Sequence, residues 1–140
     1  MFVVLDTNHF RELVEAGTLG KGLLARIDRQ KADVFACIVA LEEVLRGWLA
    51  LLNRREQGHG QLSAYFELQR SIEAMARFTI LPFDGEAANR FALLRKQLPR
   101  AGTMDLKIAA ICLAHEALLL TRNLVDFEKV PGLRVENWLD

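Results

Sequence analysis

Five short apolar runs recur along the chain, at 2–5 (FVVL), 33–38 (DVFACI), 78–82 (FTILP), 117–120 (ALLL) and 133–136 (LRVE). Their length and Val, Ile, Leu and Phe content predict strands. Between them the pattern turns helical. Residues 8–16 and 19–30 predict two short helices. Residues 39–53 predict a strongly apolar one, with Leu41, Leu45, Trp48, Leu49 and Leu52 at spacings of three and four. Two more follow at 62–76 and 85–98, the second with Asp84 as its N-cap, and the last long one covers 104–115. The polar stretch "NRREQGHGQ" (53–61) reads as a loop. "GTLGKG" (17–22) is glycine-rich, but no strand directly precedes it and it lacks the phosphate-loop pattern, so it predicts a turn. Short strands alternating with helices predict an α/β fold, with a mainly parallel central sheet of about five strands and helices on both faces.

Composition narrows this picture. A length of 140 residues suits one domain, 1–140, with a real core, and 51% hydrophobic against 26% charged residues excludes a disordered chain. The formal net charge is zero, which excludes long-range attraction of the whole molecule to nucleic acid or membrane but leaves room for a local site. The apolar run "IAAICLA" (108–114) is far shorter than the roughly 20 residues a membrane helix needs. The start has no basic region, and Asp6 cuts its apolar stretch short, unlike a signal peptide. Cys37 and Cys112 lie in apolar segments and read as buried free thiols in a reducing cytoplasm. His9, His59 and His115 share no ligand-like spacing, which argues against zinc.

Candidate chemistry is carried by carboxylates. In an open α/β sheet, ligands bind beyond the carboxyl ends of the strands. Asp6 follows the first strand, Glu42 and Glu43 start the helix after the second, Asp105 starts the helix leading to the fourth, and Thr121, Asn123 and Asp126 follow the fourth. Singly, each has a structural explanation: an acid in a helix's first turn favours the dipole, Asp126 could cap a turn, and Asp6 could form an Asx-turn. Together they would crowd negative charge at one sheet edge. Such repulsion raises carboxylate pKa values and is relieved by a hard divalent cation, magnesium or manganese, able to assist phosphodiester hydrolysis.

The motifs "VVLDTN" at the start, "ALEEVLRG" (40–47), "ILPFDGEAANRFALLRKQL" (80–98), "GTMDLKIAA" (102–110), "LLLTRNLVDF" (118–127) and "PGLRVENW" (131–138) occur in one order. In them the chain resembles the PIN-domain ribonucleases, specifically the toxins of VapBC-type toxin–antitoxin pairs. The resemblance implies a three-layer α/β/α PIN-like domain and a metal-dependent endoribonuclease leaving 5′-phosphate and 3′-hydroxyl ends. It assigns the first acid to Asp6. The helical glutamate, four residues before Gly47, is Glu43, with Glu42 its neighbour. The acid before "KIAA" is Asp105, and the last polar site is Thr121 with Asn123 and Asp126. Some members carry a carboxylate where Asn123 stands, so Asn123 would orient water or phosphate while Asp126 supplies charge. Thr7 matches the hydroxyl that supports the first aspartate. The metal set implied is therefore Asp6, Glu43, Asp105 and Asp126, with Mg2+ or Mn2+ as cofactor.

An acidic pocket repels RNA, so nearby cations must hold its backbone. Arg11, Arg46, Lys107 and Arg122 lie beside the acids in sequence, with Arg122 best placed between Thr121 and Asn123. The resemblance further implies an antitoxin that wraps the toxin and blocks the pocket, and a guanidinium inserted among the acids would do so. Apolar residues on several faces of helix 39–53 suggest a homodimer. Two alternatives stay open: a PIN-like binding module without catalysis, and a haloacid-dehalogenase-like phosphatase. The phosphatase would need a second aspartate two residues after the first, where Asn8 stands.

Overall fold

The computed structural model describes residues 1–140. In chain order it forms β1 (Phe2–Leu5), α1 (Thr7–Glu15), α2 (Thr18–Gln30), β2 (Asp33–Cys37), α3 (Ile38–Arg54), a 3-10 turn (Gly58–Gln61), α4 (Leu62–Met75), β3 (Thr79–Leu81), α5 (Gly85–Gln97), α6 (Thr103–Ala114), β4 (Leu118–Leu120), α7 (Leu124–Phe127) and β5 (Val135–Glu136). The strands pair in the order β3-β2-β1-β4-β5, and every pairing is parallel. Helices cover both faces, giving the three-layer α/β/α arrangement.

Side-chain alternation along the strands divides the core. Val4 and Leu119 point to one face and pack with Leu94 of α5 and Leu106, Ile108 and Ile111 of α6. Val3, Leu5, Leu118 and Leu120 point to the other, against Phe10 of α1, Leu23 and Ile27 of α2 and Val44 of α3. Helix α6 is buried almost all round, as "IAAICLA" requires. Asp84 caps α5 as predicted, its Oδ1 accepting from the Ala87 amide at 3.0 Å. No helix is long and apolar enough to cross a membrane.

Two expectations need correction, and one element is added. The stretch 17–22 is not a turn: the turn is confined to Ala16, in the left-handed region at φ 56°, and Gly17, after which α2 runs through both remaining glycines. Gly20 is there for packing. A Cβ on it would lie 2.1 Å from the Glu12 carbonyl oxygen, so its absence lets α2 close against the end of α1. The polar loop 53–61 ends in the 3-10 turn, with the Gln61 amide donating to the Leu52 carbonyl at 3.1 Å. The segment after β4 holds α7, a single turn whose length gives too few positions for a helical period.

Gly20→Ala should therefore destabilise the protein by about 1–3 kcal/mol, the usual cost of an overpacked contact, despite alanine's better helix propensity. Gly22, with nothing within 4 Å of its missing Cβ, supplies the control. Gly22→Ala should raise the melting temperature, by up to about 1 kcal/mol equivalent. Parallel thermal melts compare the two; equal effects would mean that the α1–α2 contact is not tight.

Candidate active site

Strand register assembles the site. Leu5 lies beside Ala36 on one side and Leu120 on the other, so the residues that follow, Asp6, Cys37 and Thr121, emerge side by side at the carboxyl edge of the sheet. Asp6 is also the N-cap of α1, and its Oδ1 accepts from the Thr7 amide at 2.8 Å. Its Oδ2 accepts from the Thr121 hydroxyl at 2.8 Å, and that hydroxyl oxygen accepts in turn from the Asn123 amide at 3.0 Å. Thr121 is wholly buried. Burial raises the Asp6 pKa, and the bonds from Thr7 and Thr121 offset this only in part. Thr121 thus gives Asp6 a hydroxyl from across the sheet, and the adjacent Thr7 side chain, its Oγ1 buried, also lowers the Asp6 pKa.

Glu43 comes from α3, which starts directly after β2. Its Oε1 is buried and makes no hydrogen bond. Burial, then the charges of Asp6, Asp105 and Glu42, push its carboxyl up to about 7, with Arg11 pulling the other way. Neighbouring Glu42 instead pairs with Arg46 one turn on. Asp105 lies in the first turn of α6, which runs back across the sheet to β4 and so begins at its carboxyl edge. Burial raises its pKa first, followed by the charges of Asp6 and Asp126. Asp126, on α7, is exposed; its Oδ2 accepts from the Asn123 side-chain amide at 3.0 Å, and Lys129 lies 3.7 Å from its Oδ1.

Asp6, Glu43 and Asp105 therefore share one field, with Asp126 at its rim. No three acidic, histidine or cysteine side chains stand close enough to form a ready-made metal cage. What the cluster does have is surplus negative charge and an orphaned carboxylate oxygen, which a proton or a cation would satisfy. An all-oxygen donor set of this kind suits a hard divalent ion.

The four candidate cations are placed differently from one another. Arg122 is not free beside the acids: its Nε and Nη2 donate to the Asp140 carboxylate at 3.2 and 3.3 Å. Arg46 is engaged by Glu42. Lys107 sits over the Phe83 and Phe91 rings, 5.9 Å from each centroid. Arg11 has no carboxylate partner. It lies 6.0 Å from the Trp48 ring centroid and against Gly47, where a Cβ would come 2.8 Å from its Nη2. Gly47 thus leaves room on α3 for that guanidinium, and Trp48 is itself fixed by donating to Ser71 Oγ at 3.0 Å. Sequence reading missed His9, fully buried on α1 and held neutral by burial, with its pKa lowered to about 4. Its Nε2 accepts from the Trp138 amide at 3.1 Å, which docks the C-terminal segment beside Arg122. The two partners lie 129 positions apart, so no local pattern announces the bond.

The raised Glu43 pKa has a signed consequence. Between its ordinary value of 4.5 and about 7, the unfolded chain has lost this proton while the folded protein retains it. Metal-free stability should therefore fall as pH rises through that window. Glu43→Gln should reduce the slope, and so should magnesium or manganese. Melting temperatures in chelator at several pH values measure it; an unchanged slope in Glu43→Gln would place the linkage elsewhere.

Known proteins resemble the chain in both sequence and fold. It is 40% identical over 76 residues to ribonuclease VapC1 of Rickettsia felis, a match covering 51% of this chain and 53% of that one. It is 34% identical over 68 residues to the tRNA(fMet)-specific endonuclease VapC of Salmonella typhimurium, covering 46% and 52%. These matches span about half the length of the curated relatives. VapBC2 from Rickettsia felis, crystallised with a DNA fragment from its promoter, superposes with a TM-score of 0.76 at 21% identity, over 99% of both chains. VapBC-1 from nontypeable Haemophilus influenzae gives 0.74 at 20% identity, over 100% of both. Asn8 stands two residues after Asp6, where the phosphatase reading needs a second aspartate. The PIN domain family model matches residues 3–133, from β1 to the approach of β5, and that span contains all four acids at the sheet edge; the chain belongs to the PIN domain family.

Proposed function

We propose that this chain is a divalent-metal-dependent endoribonuclease, the toxin of a toxin–antitoxin pair, hydrolysing RNA to leave 5′-phosphate and 3′-hydroxyl ends. The observation that carries the reading is the meeting of Asp6, Glu43 and Asp105 at one edge, with the Glu43 Oε1 buried and unpartnered. The VapC relatives, named as ribonucleases and an endonuclease, support the polymer and the reaction.

Asp6, Glu43, Asp105 and, at the rim, Asp126 would hold a magnesium or manganese ion, which when bound supplies a more acidic water and neutralises phosphate charge. The Thr7 amide and the Thr121 hydroxyl keep Asp6 from rotating away. Asn123, bonded to Asp126, offers a neutral amide to a water or a phosphate oxygen. Arg11 and Lys107 flank the acids as phosphate-binding cations without carboxylate partners. Arg122 joins them by exchanging Asp140 for phosphate, and Arg46 by releasing Glu42. Attack of water on phosphorus, with the 3′ oxygen leaving and taking a proton, gives the proposed ends.

The partner is a cognate antitoxin whose basic side chain enters the acid cluster, as the surplus negative charge favours. Homodimerisation is supported by apolar residues left in water: Leu49 on α3 is 51% exposed, and Leu62, Phe66 and Ile72 on α4 are 65%, 64% and 50% exposed. Both cysteines are free and buried, in keeping with a reducing cytoplasm.

Purified protein should cleave RNA with magnesium or manganese and not with chelator. Asp6→Asn and Asp105→Asn should each lose about a hundredfold or more, since removing even a residue that only supports a metal ligand costs about 10–100-fold. In chelator, Asp105→Asn should melt higher than the parent, because it removes one member of a repelling set, and metal should stabilise it less. A variant that melts lower in chelator, with no metal effect on either protein, would make Asp105 a helix-capping residue only. Light scattering at micromolar concentration should give about twice 15.8 kDa; a monomer there would remove the dimer.

A further inference from the structure

We propose that the hollow between the α5–α6 loop and α7 is a subsite for one unstacked RNA base next to the scissile phosphate. This deepens the nuclease reading and rests on it. The hollow measures about 360 Å3, at the small end of the roughly 300–1,000 Å3 usual for small-molecule sites and suited to a single nucleotide. Asp105 and Asp126 form part of its wall, so it adjoins the acid cluster on the side of these two residues. Three larger hollows, one against α3 and β3, one at the far end of α6 and one between α1 and α4, contain none of Asp6, Glu43, Asp105 or Asp126.

The lining chemistry fits a base better than a phosphate. Leu98, Leu106, Phe127 and Val130 give an apolar interior, while the two acids would repel an anion placed against them. A neutral, flat base meets no such repulsion. The exposed Arg100 and Lys129 stand on the lining and can hold the phosphates on either side of it. Single-stranded RNA is read in this way, by splayed bases set in pockets.

The hollow is also preformed. Arg95 of α5 turns its guanidinium into the loop and donates to the carbonyl oxygens of Pro99, at 3.5 Å, and Ala101, at 3.0 Å through Nη1. The loop is thus fixed before any ligand arrives, which lowers the ordering cost of binding. Selection of a nucleotide beside the cut would then come from this loop, and the general grip on the backbone from the cations around it.

Titration of isotope-labelled protein with AMP, CMP, GMP and UMP, in magnesium, tests the subsite by amide chemical shifts. The expected result is shifts at Leu98, 100–102 and 126–130 with one base preferred. Ala101→Phe, which fills the hollow, should bind that mononucleotide about tenfold more weakly while the rest of its spectrum is unchanged. It should still cleave a random RNA pool but lose preference at one position beside the cut. Should Ala101→Phe not fold, Lys129→Ala in the same titration should weaken binding of the nucleotide without changing which base is preferred. Shifts confined to the acids, or an unaltered cleavage preference in folded Ala101→Phe, would overturn the subsite. Absence of any shift would also overturn it and leave the hollow to a side chain of a protein partner. If no RNA is cleaved under any condition, the nuclease reading fails, while the mononucleotide shifts still report on the hollow alone.

Discussion

Mutual repulsion among Asp6, Glu43 and Asp105 is the constraint around which the molecule is organised. Burial first, and then neighbouring negative charge, raises the pKa values of Glu43 and Asp105, while Asp6 is raised by burial alone; Arg11 offsets only part of the Glu43 shift. An arrangement of this kind persists only if something else fixes it. Here that is a sheet whose central strands are buried on both faces, with Val3, Val4 and Leu5 wholly out of water immediately before the first acid. The apolar core holds the charges where they do not wish to be.

Parallel topology explains why acids so far apart in sequence meet at all. Every strand ends at the same edge, and each helix returning across the sheet must begin there. Asp6 is therefore at once a strand end and a helix cap, Glu43 rides on a helix that starts without a loop after β2, and Asp105 occupies the first turn of a returning helix. Helix dipoles directed at that edge favour negative charge and moderate the repulsion without removing it.

Much of this was legible in the sequence because the responsible signals are local. Runs such as FVVL and ALLL, the spacing of three and four in 39–53, and Asp84 before α5 each act within a few residues. What escaped depends on distant partners. Gly20 reads as a turn residue until the Glu12 carbonyl of the neighbouring helix is seen against it. Arg122 looks free until the C-terminal segment supplies Asp140, held in place through His9 and Trp138. Support for Asp6 was expected from the adjacent Thr7 hydroxyl; the second hydroxyl, that of Thr121 across the β1–β4 pair, was not foreseen in that role. The acids themselves were visible as a set; their unequal environments, with Glu43 half-buried and Asp126 in water, follow from packing that no spacing encodes.

The bond between Asp6 and Thr121 joins residues 115 positions apart, and strand β4, which presents Thr121, is among the last elements of the chain. Its partner β1 is made first and must wait for it. A ribosome that has produced α1 to α5 has therefore made two of the acids but neither Asp105 nor the hydroxyl that fixes Asp6. An unfinished chain carries an incomplete centre, and so does one cut or stalled before β4. Contacts this long in sequence also form late during folding, because closing the loop costs entropy before the pairing repays it. The same hydrogen bond that orients a carboxylate thus acts as a timer: the acid set at this edge is complete and fixed only when nearly the whole polypeptide has been synthesised and folded.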